Sequence, residues 1–130
     1  MPRIARIVAV GFPHHITQRG NYRQDIFFND KDRKKYLLLL EEESKKYGLA
    51  ILGYCLMSNH VHLLLQTSGK STISQIMQGV TIAHTRYYHY ISKTSGHIWQ
   101  GRFKSPLVSD DEYLLTVMRY IEQNPIRAGL

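Results

Sequence analysis

Residues 49–66 read LAILGYCLMSNHVHLLLQ, and the centre of the predicted sheet lies in this stretch. Two apolar runs of residues that favour β-structure, 49–57 and 60–66, are separated by the polar pair Ser58-Asn59. Two such runs around a short polar turn are typical of an antiparallel hairpin. The sequence therefore predicts a hairpin in the middle of the chain.

The second run of this hairpin has an alternating pattern. Side chains of a strand point to opposite faces in turn, so Val61, Leu63 and Leu65 are expected on one face. His60 and His62 are then expected side by side on the other face. Two neighbouring imidazoles can share one divalent ion, although paired histidines on a half-exposed strand are often only hydrogen-bonding residues.

Two helices are predicted on either side of the hairpin. The first spans 30–47, with acidic residues in its first turn and Gly48 as its stop signal. The second opens at the capping box Thr72-Ile73-Ser74-Gln75 and runs to about residue 91. The apolar stripes expected to face a core comprise Tyr36, Leu37, Leu40 and Tyr47 in the first helix and Ile76, Met77, Val80 and Ala83 in the second.

The remaining elements complete the order strand, helix, strand, strand, helix, strand, helix. A short strand is expected over 14–18, a loop over 94–101, an edge strand over 103–108, and a last helix from the capping box at 109–112 to just before Pro125. This order predicts an α+β protein with a ferredoxin-like split βαβ arrangement. Its sheet should be mostly antiparallel, with two helices on one face and an additional C-terminal helix that carries Tyr120.

Length and composition favour one globular domain over residues 1–130. The chain has 130 residues, of which 43% are hydrophobic and 21% charged, and this usage argues against a disordered or low-complexity chain. Its apolar runs are far shorter than the roughly 20 residues of a membrane span, and its start does not resemble a secretory signal, so a cytoplasmic protein without membrane contact is expected. The single cysteine, Cys55, is most simply a small core residue.

The charge distribution points to a nucleic-acid partner. The formal net charge is +7, and residues 44–109 contain seven Lys or Arg but no Asp or Glu. The same stretch contains several tyrosines and Trp99, and aromatic rings can stack on unpaired bases while cations neutralise phosphates. A solvated basic surface with some core aromatics is the alternative.

The last predicted helix carries a second pair of polar side chains. Tyr120 and Asn124 are four residues apart and so lie on one helix face. Taken alone, they are a core tyrosine and a helix-terminal residue before Pro125. Combined with two metal-competent histidines and a basic surface, they acquire a specific use as a phenolic nucleophile beside an amide oxygen ligand.

Four blocks of sequence resemble a known family over nearly the whole chain. They are TQRGN at 17–21, YCLMSNHVHL at 54–63, WQGRFKS at 99–105 and YIEQNPIRAGL at 120–130. They are similar to the single-strand tyrosine transposases of the HUH class, in which two histidines flank one hydrophobic residue, and most similar to the REP-associated group. The resemblance implies that His60 and His62 bind the metal and that Tyr120 is the nucleophile. Asn124 stands at a ligand position where relatives can carry glutamine.

The implied activity is the metal-dependent cleavage and joining of single-stranded DNA, expected to contain a hairpin, through a 5′-phosphotyrosine. The resemblance favours Mg²⁺ or Mn²⁺, whereas the imidazoles alone would also accept zinc. Tyr120 can serve the histidines of its own chain or those of a second copy in a homodimer. An unperturbed phenol has a pKa of about 10, so the tyrosine also needs a base.

The candidate DNA contacts are basic side chains, for each of which a solvated or structural role is the alternative: Arg19, Arg23, Arg86, Arg102 and Lys104. Trp99 is interpreted as a packing residue, and five histidines, among them His15, receive no catalytic role. Two other functions compete with the transposase. One is a non-catalytic module that binds single-stranded nucleic acid, and the other is a phosphodiesterase in which water is the nucleophile.

Overall fold

The computed structural model describes residues 13–66, 72–101, 103, 104, 116 and 119. In chain order the elements are strand β1 (Pro13–Arg19), a 3₁₀ turn (Asn21–Arg23), helix α1 (Asp30–Tyr47), strands β2 (Ala50–Leu56) and β3 (His60–Gln66), and helix α2 (Thr72–Ser92). The predicted hairpin and both predicted helices are confirmed to within about one residue. Thr116 and Arg119 are helical, whereas the rest of the predicted last helix, including Tyr120 and Asn124, lies outside the described residues.

The sheet has the order β1-β3-β2, and β3 is antiparallel to both of its neighbours. β1 and β2 are consequently parallel to each other, and α1 connects them. A parallel pair joined by a helix and split by a third strand is the arrangement that the element order predicts. The α+β fold class is thereby confirmed.

A further segment extends the sheet beyond β1. The backbone of Lys104 exchanges two hydrogen bonds with that of Thr17, at 2.8 and 2.9 Å, and Trp99 pairs with Gly20. The N–H of Gln100 also donates to the carbonyl oxygen of Arg19 at 2.8 Å, so contact with β1 begins inside the stretch predicted to be a loop. The predicted loop over 94–101 is confirmed as irregular chain apart from the isolated bridge at Trp99. Of the edge strand predicted over 103–108, Lys104 pairs with Thr17, and residues 105–108 lie outside the described residues.

The core lies between the sheet and the two helices. Val61, Leu63 and Leu65 of β3 are fully buried, as the alternating pattern predicts, against Tyr36 of α1 and Ile76 of α2. The chain has no helix in its described part that is long and apolar enough to cross a membrane.

One residue of the predicted apolar stripe was assigned wrongly. Tyr47 is 40% exposed at the last position of α1. The chain reverses at Gly48, whose φ of 68° is left-handed, and Leu49 enters the core in its place. The core contact at this end of α1 is therefore made by Leu49, the residue after the glycine, and not by Tyr47.

Candidate functional site

The two predicted metal ligands lie on the face of the sheet that points away from the helices. His60 and His62 are both half-buried, their ring centroids are 5.0 Å apart, and their planes are nearly perpendicular at 83°. In the register of the sheet, Arg19 lies opposite His60 and Thr17 opposite His62. The face therefore combines two imidazoles with a cation on the neighbouring strand.

A third histidine, His15 of β1, joins this pair. Its Nε2 lies 3.1 Å from Nδ1 of His62, and the two rings stack with centroids 5.3 Å apart and planes 25° apart. Sequence reasoning left His15 without a role. The alternation of β1 could have placed it on the face of Thr17 and Arg19, but only the register of β1 against β3 brings it to His62.

The neighbour of His60 fixes the orientation of its ring. Nδ1 of His60 lies 2.7 Å from Oδ1 of Asn59, an oxygen that can only accept a hydrogen bond. The proton of the neutral ring is then on Nδ1, and Nε2 carries the lone pair. Outer partners of this kind commonly set the tautomer of metal-binding histidines.

The environment keeps all three imidazoles neutral near pH 7. Burial, and then electrostatic interaction with His15, His60 and Arg19, lowers the pKa of His62 to about 4. Burial followed by the charge of Arg19 lowers the pKa of His60, and burial lowers the pKa of His15. Only a neutral imidazole can donate a lone pair to a metal ion, so these shifts favour the ligand form.

Within the described ranges, no group of three or more His, Cys, Asp or Glu side chains is arranged to hold a metal ion. The two imidazole donors fit a cation whose other ligands are an amide oxygen, water or phosphate. Asn124, the predicted amide ligand, lies outside the described residues. Cys55, opposite His62 in the register, is fully buried, as predicted for a small apolar residue.

A basic cleft of about 410 Å³ opens at the end of β1. Two of its lining residues, Gln100 and Lys104, hydrogen-bond to β1 through their backbones, and Gly101, next to Gln100, has a left-handed φ of +76°. The described residues that line this basic cleft are Thr17, Gln18, Arg19, Arg23, Gln100 and Lys104.

The basic cleft brings together three of the five predicted DNA contacts. Arg19, Arg23 and Lys104 line it, and no carboxylate occurs in its described lining. The ion pairs given by the described residues involve cations of α1: Arg33–Asp30, Lys45–Glu41 and Lys46–Glu43. The charges of the basic cleft are therefore available to an anion. Arg19 lies both in the lining of the cleft and opposite His60 in the sheet.

The other two predicted DNA contacts are not placed at this cleft. Arg86 is exposed on α2, in the helix layer that covers the opposite face of the sheet. Arg102 lies outside the described residues. The charge pattern of residues 44–109 could not separate these positions, because it gives no information on which face of the fold each cation occupies.

A second cavity of about 650 Å³ lies between α2 and the segment 96–101, and Asn21 and Gln100 are among its lining residues. Trp99 contributes to its wall but is only 8% exposed. The indole Nε1 donates to Oγ1 of Thr85 at 3.2 Å, and the ring lies 5.7 Å from that of His84. Trp99 therefore packs within the fold, as the sequence analysis interpreted it.

One family model and two solved structures are similar to this chain. The sequence model of IS200-like transposases matches residues 10–124. A REP-associated tyrosine transposase bound to a REP hairpin is similar in structure, with a TM-score of 0.74 and 15% identity over 97% of this chain and 73% of that one. A candidate transposase from Deinococcus radiodurans R1 has a TM-score of 0.62 and 16% identity, over 93% of this chain and 96% of that one. No curated protein matches the sequence.

Proposed function

Because the chain belongs to the family of IS200-like transposases, we propose that it cleaves and rejoins single-stranded DNA, with Tyr120 as nucleophile and a divalent cation held by His60 and His62. The observation that carries this proposal is the position of the two imidazoles beside the basic cleft. Arg19 borders both, since it lines the cleft and lies opposite His60. A scissile phosphate next to the histidines would have its neighbouring phosphates within reach of cations.

His60 and His62 would hold the divalent cation through Nε2 of each ring. Asn59 holds His60 in the tautomer with a proton on Nδ1, and His15 would do the same for His62 in the tautomer in which Nδ1 of His62 is the donor of their hydrogen bond. Asn124 would supply an amide oxygen, and water and phosphate oxygens would complete a set suited to Mg²⁺ or Mn²⁺. When bound, such an ion would supply Lewis-acid chemistry at the scissile phosphate and the departing oxygen.

The protein's own chemical step belongs to Tyr120. Its phenolic oxygen gives up its proton and bonds to phosphorus while the bond to the 3′ oxygen breaks, and the departing oxygen takes up one proton to give a 3′ hydroxyl, so that no net proton is gained or lost. The product is a 5′-phosphotyrosine, which retains the energy of the broken phosphodiester. A second 3′ hydroxyl can then reverse the step and join two DNA ends without a nucleotide cofactor.

The DNA substrate is held by charge along the basic cleft. Arg19, Arg23 and Lys104 neutralise phosphates of the strand, which releases counterions and gives salt-dependent binding. The similar REP-associated transposase is bound to a REP hairpin, which supports a hairpin-containing strand as the substrate here.

A denaturing gel tests the nucleophile. Wild-type protein, a hairpin-bearing single strand labelled at the 3′ end, and Mn²⁺ should give a covalent protein–DNA band. Tyr120→Phe should lose that band and still bind the DNA, and Tyr90→Phe, which alters an exposed tyrosine of α2, should keep it.

The outcomes separate the three candidate functions. A band that persists in Tyr120→Phe refutes the nucleophile assignment. Cleavage without any covalent band favours a hydrolytic phosphodiesterase, and tight binding without cleavage favours the non-catalytic module.

A further inference from the structure

An exposed tyrosine occupies the turn that follows β1. Tyr22 is 93% exposed, in a segment where its own backbone is left-handed, with φ 52° and ψ 32°. Arg23, the next residue, is left-handed as well, with φ 58°. Two consecutive non-glycine residues in this region are unfavourable, and such strain persists only where the surrounding structure imposes it.

The surroundings impose this turn through several hydrogen bonds. Backbone N–H groups of Arg23 and Gln24 donate to the carbonyl oxygens of Gly20 and Asn21, at 3.1 and 3.0 Å. The side-chain amide of Gln24 donates to the carbonyls of His97 and Ile98, at 3.2 and 3.0 Å. The turn is thus anchored to the segment that extends the sheet, while the tyrosine ring gains no burial from it.

Gly20 permits the close approach within this turn. A Cβ at this position would lie 2.2 Å from the carbonyl oxygen of Gln24, a distance that no side chain could tolerate. The turn is therefore tightly constrained, and it holds the aromatic ring of Tyr22 in solvent.

The turn lies between the two cavities. Arg23 lines the basic cleft, Asn21 lines the second cavity, and Gln100 lines both. Tyr22 is the residue between Asn21 and Arg23. A strand that leaves the basic cleft toward the second cavity would pass beside the exposed ring.

We propose that Tyr22 is a stacking platform for one unpaired base of single-stranded DNA whose phosphates lie in the basic cleft. This inference rests on the proposed function and names a contact that selects for single strands. A phenol ring stacks on any base, but the bases of a duplex are already stacked and paired, so the platform is of use only to an unpaired nucleotide. The cations of the cleft attract both forms, and the ring discriminates between them.

Four proteins test the platform by fluorescence anisotropy with a labelled single-stranded oligonucleotide. Tyr22→Asn removes the ring but suits the left-handed backbone, since asparagine tolerates that region better than most residues. Tyr22→Phe keeps the ring without its hydroxyl, and Tyr90→Ala removes an 83% exposed tyrosine from α2 as the matched control. Wild type is the fourth.

The expected result is a Kd raised about 5- to 100-fold in Tyr22→Asn and little changed in Tyr22→Phe and Tyr90→Ala. Binding to a blunt duplex should be little changed in all of them. An oligonucleotide with 2-aminopurine at successive positions should show one position whose fluorescence is quenched by wild type and not by Tyr22→Asn.

The failures are distinguishable. If Tyr22→Asn binds single-stranded DNA as tightly as the wild type does, Tyr22 is not a stacking platform, and the proposed function is unaffected. Equal weakening by Tyr90→Ala also overturns it, because the effect would then be unspecific to the turn. Wild type that binds no single-stranded DNA overturns the proposed function, and the platform with it.

Discussion

Nε2 of His15 lies 3.1 Å from Nδ1 of His62, on the strand next to it in the sheet. Burial lowers the pKa of both rings, so each is neutral near pH 7 and one must donate the shared proton while the other accepts it. If His62 donates from Nδ1, its Nε2 carries the lone pair, as a metal ligand requires. His15 then acts on the metal site through His62.

Replacing His15 should therefore weaken metal binding without removing a ligand. In His15→Phe a ring of similar shape still stacks on His62 but cannot accept its proton, and we expect the affinity for Mn²⁺ to fall by about 10- to 100-fold. Titration followed by electron paramagnetic resonance of free Mn²⁺ measures this without any DNA. His15→Gln, which can still accept the hydrogen bond, should recover part of the affinity.

His97→Ala is the control for this experiment, since His97 is exposed beside the second cavity. Its affinity for Mn²⁺ should equal that of the wild type. An affinity in His15→Phe that matches both would show that His15 only packs. The ¹⁵N shifts of His62 provide an independent readout, because they report which ring nitrogen carries the proton.

The case of His15 shows what the sequence could and could not predict. The alternation in β3 correctly assigned the faces of His60 and Val61, because side-chain direction along one strand is a local property. Register between strands is not local: β1 and β3 are separated by the whole of α1 and β2, so nothing in the sequence paired His15 with His62. The same reason explains why Arg19 and Lys104 could be proposed as DNA contacts but not assigned to one cleft.

The depressed pKa of His62 predicts a pH-dependent stability. Its pKa is about 4 in the folded chain and 6.5 in an unfolded one, so between these values the unfolded state binds more protons. The free energy of unfolding of the metal-free protein should fall as the pH is lowered from about 6.5 toward 4. The lowered pKa values of His15 and His60 act in the same direction.

Urea unfolding at several pH values measures this dependence. His62→Gln should reduce the slope of the curve in that range, because the glutamine amide does not titrate, while the other histidines with lowered pKa values keep part of the slope. A curve of unchanged slope would mean that burial of His62 does not set its protonation.

The basic cleft predicts that cations on the two faces of the fold differ in their effect on DNA binding. Arg19→Gln, Arg23→Gln and Lys104→Gln should each weaken binding of single-stranded DNA by about two- to tenfold at 0.1 M salt. Each should also reduce the slope of log Kd against log salt concentration by about 0.7, since one phosphate contact is lost.

Arg86→Gln removes the same charge from the exposed helix layer and is the matched control. Its affinity for single-stranded DNA and its salt slope should stay close to those of the wild type. If it weakens binding as much as the variants of the cleft do, the DNA path includes α2, and the basic cleft is not the principal binding surface.

Gly20 predicts a stability effect that arises from packing alone. Its φ of −67° is accessible to any residue, so alanine is opposed only by the clash of its Cβ with the carbonyl oxygen of Gln24. We expect Gly20→Ala to lower the free energy of unfolding by about 1–3 kcal/mol, because the turn and its hydrogen bonds to Ile98 must shift.

Gly79→Ala is the control: its Cβ would contact the carboxylate of Glu43, a flexible side chain, and alanine favours the helix by about 1 kcal/mol. Urea unfolding of the two variants should therefore give the larger loss for Gly20→Ala, and equal stabilities would contradict the close approach that forms the turn of Tyr22.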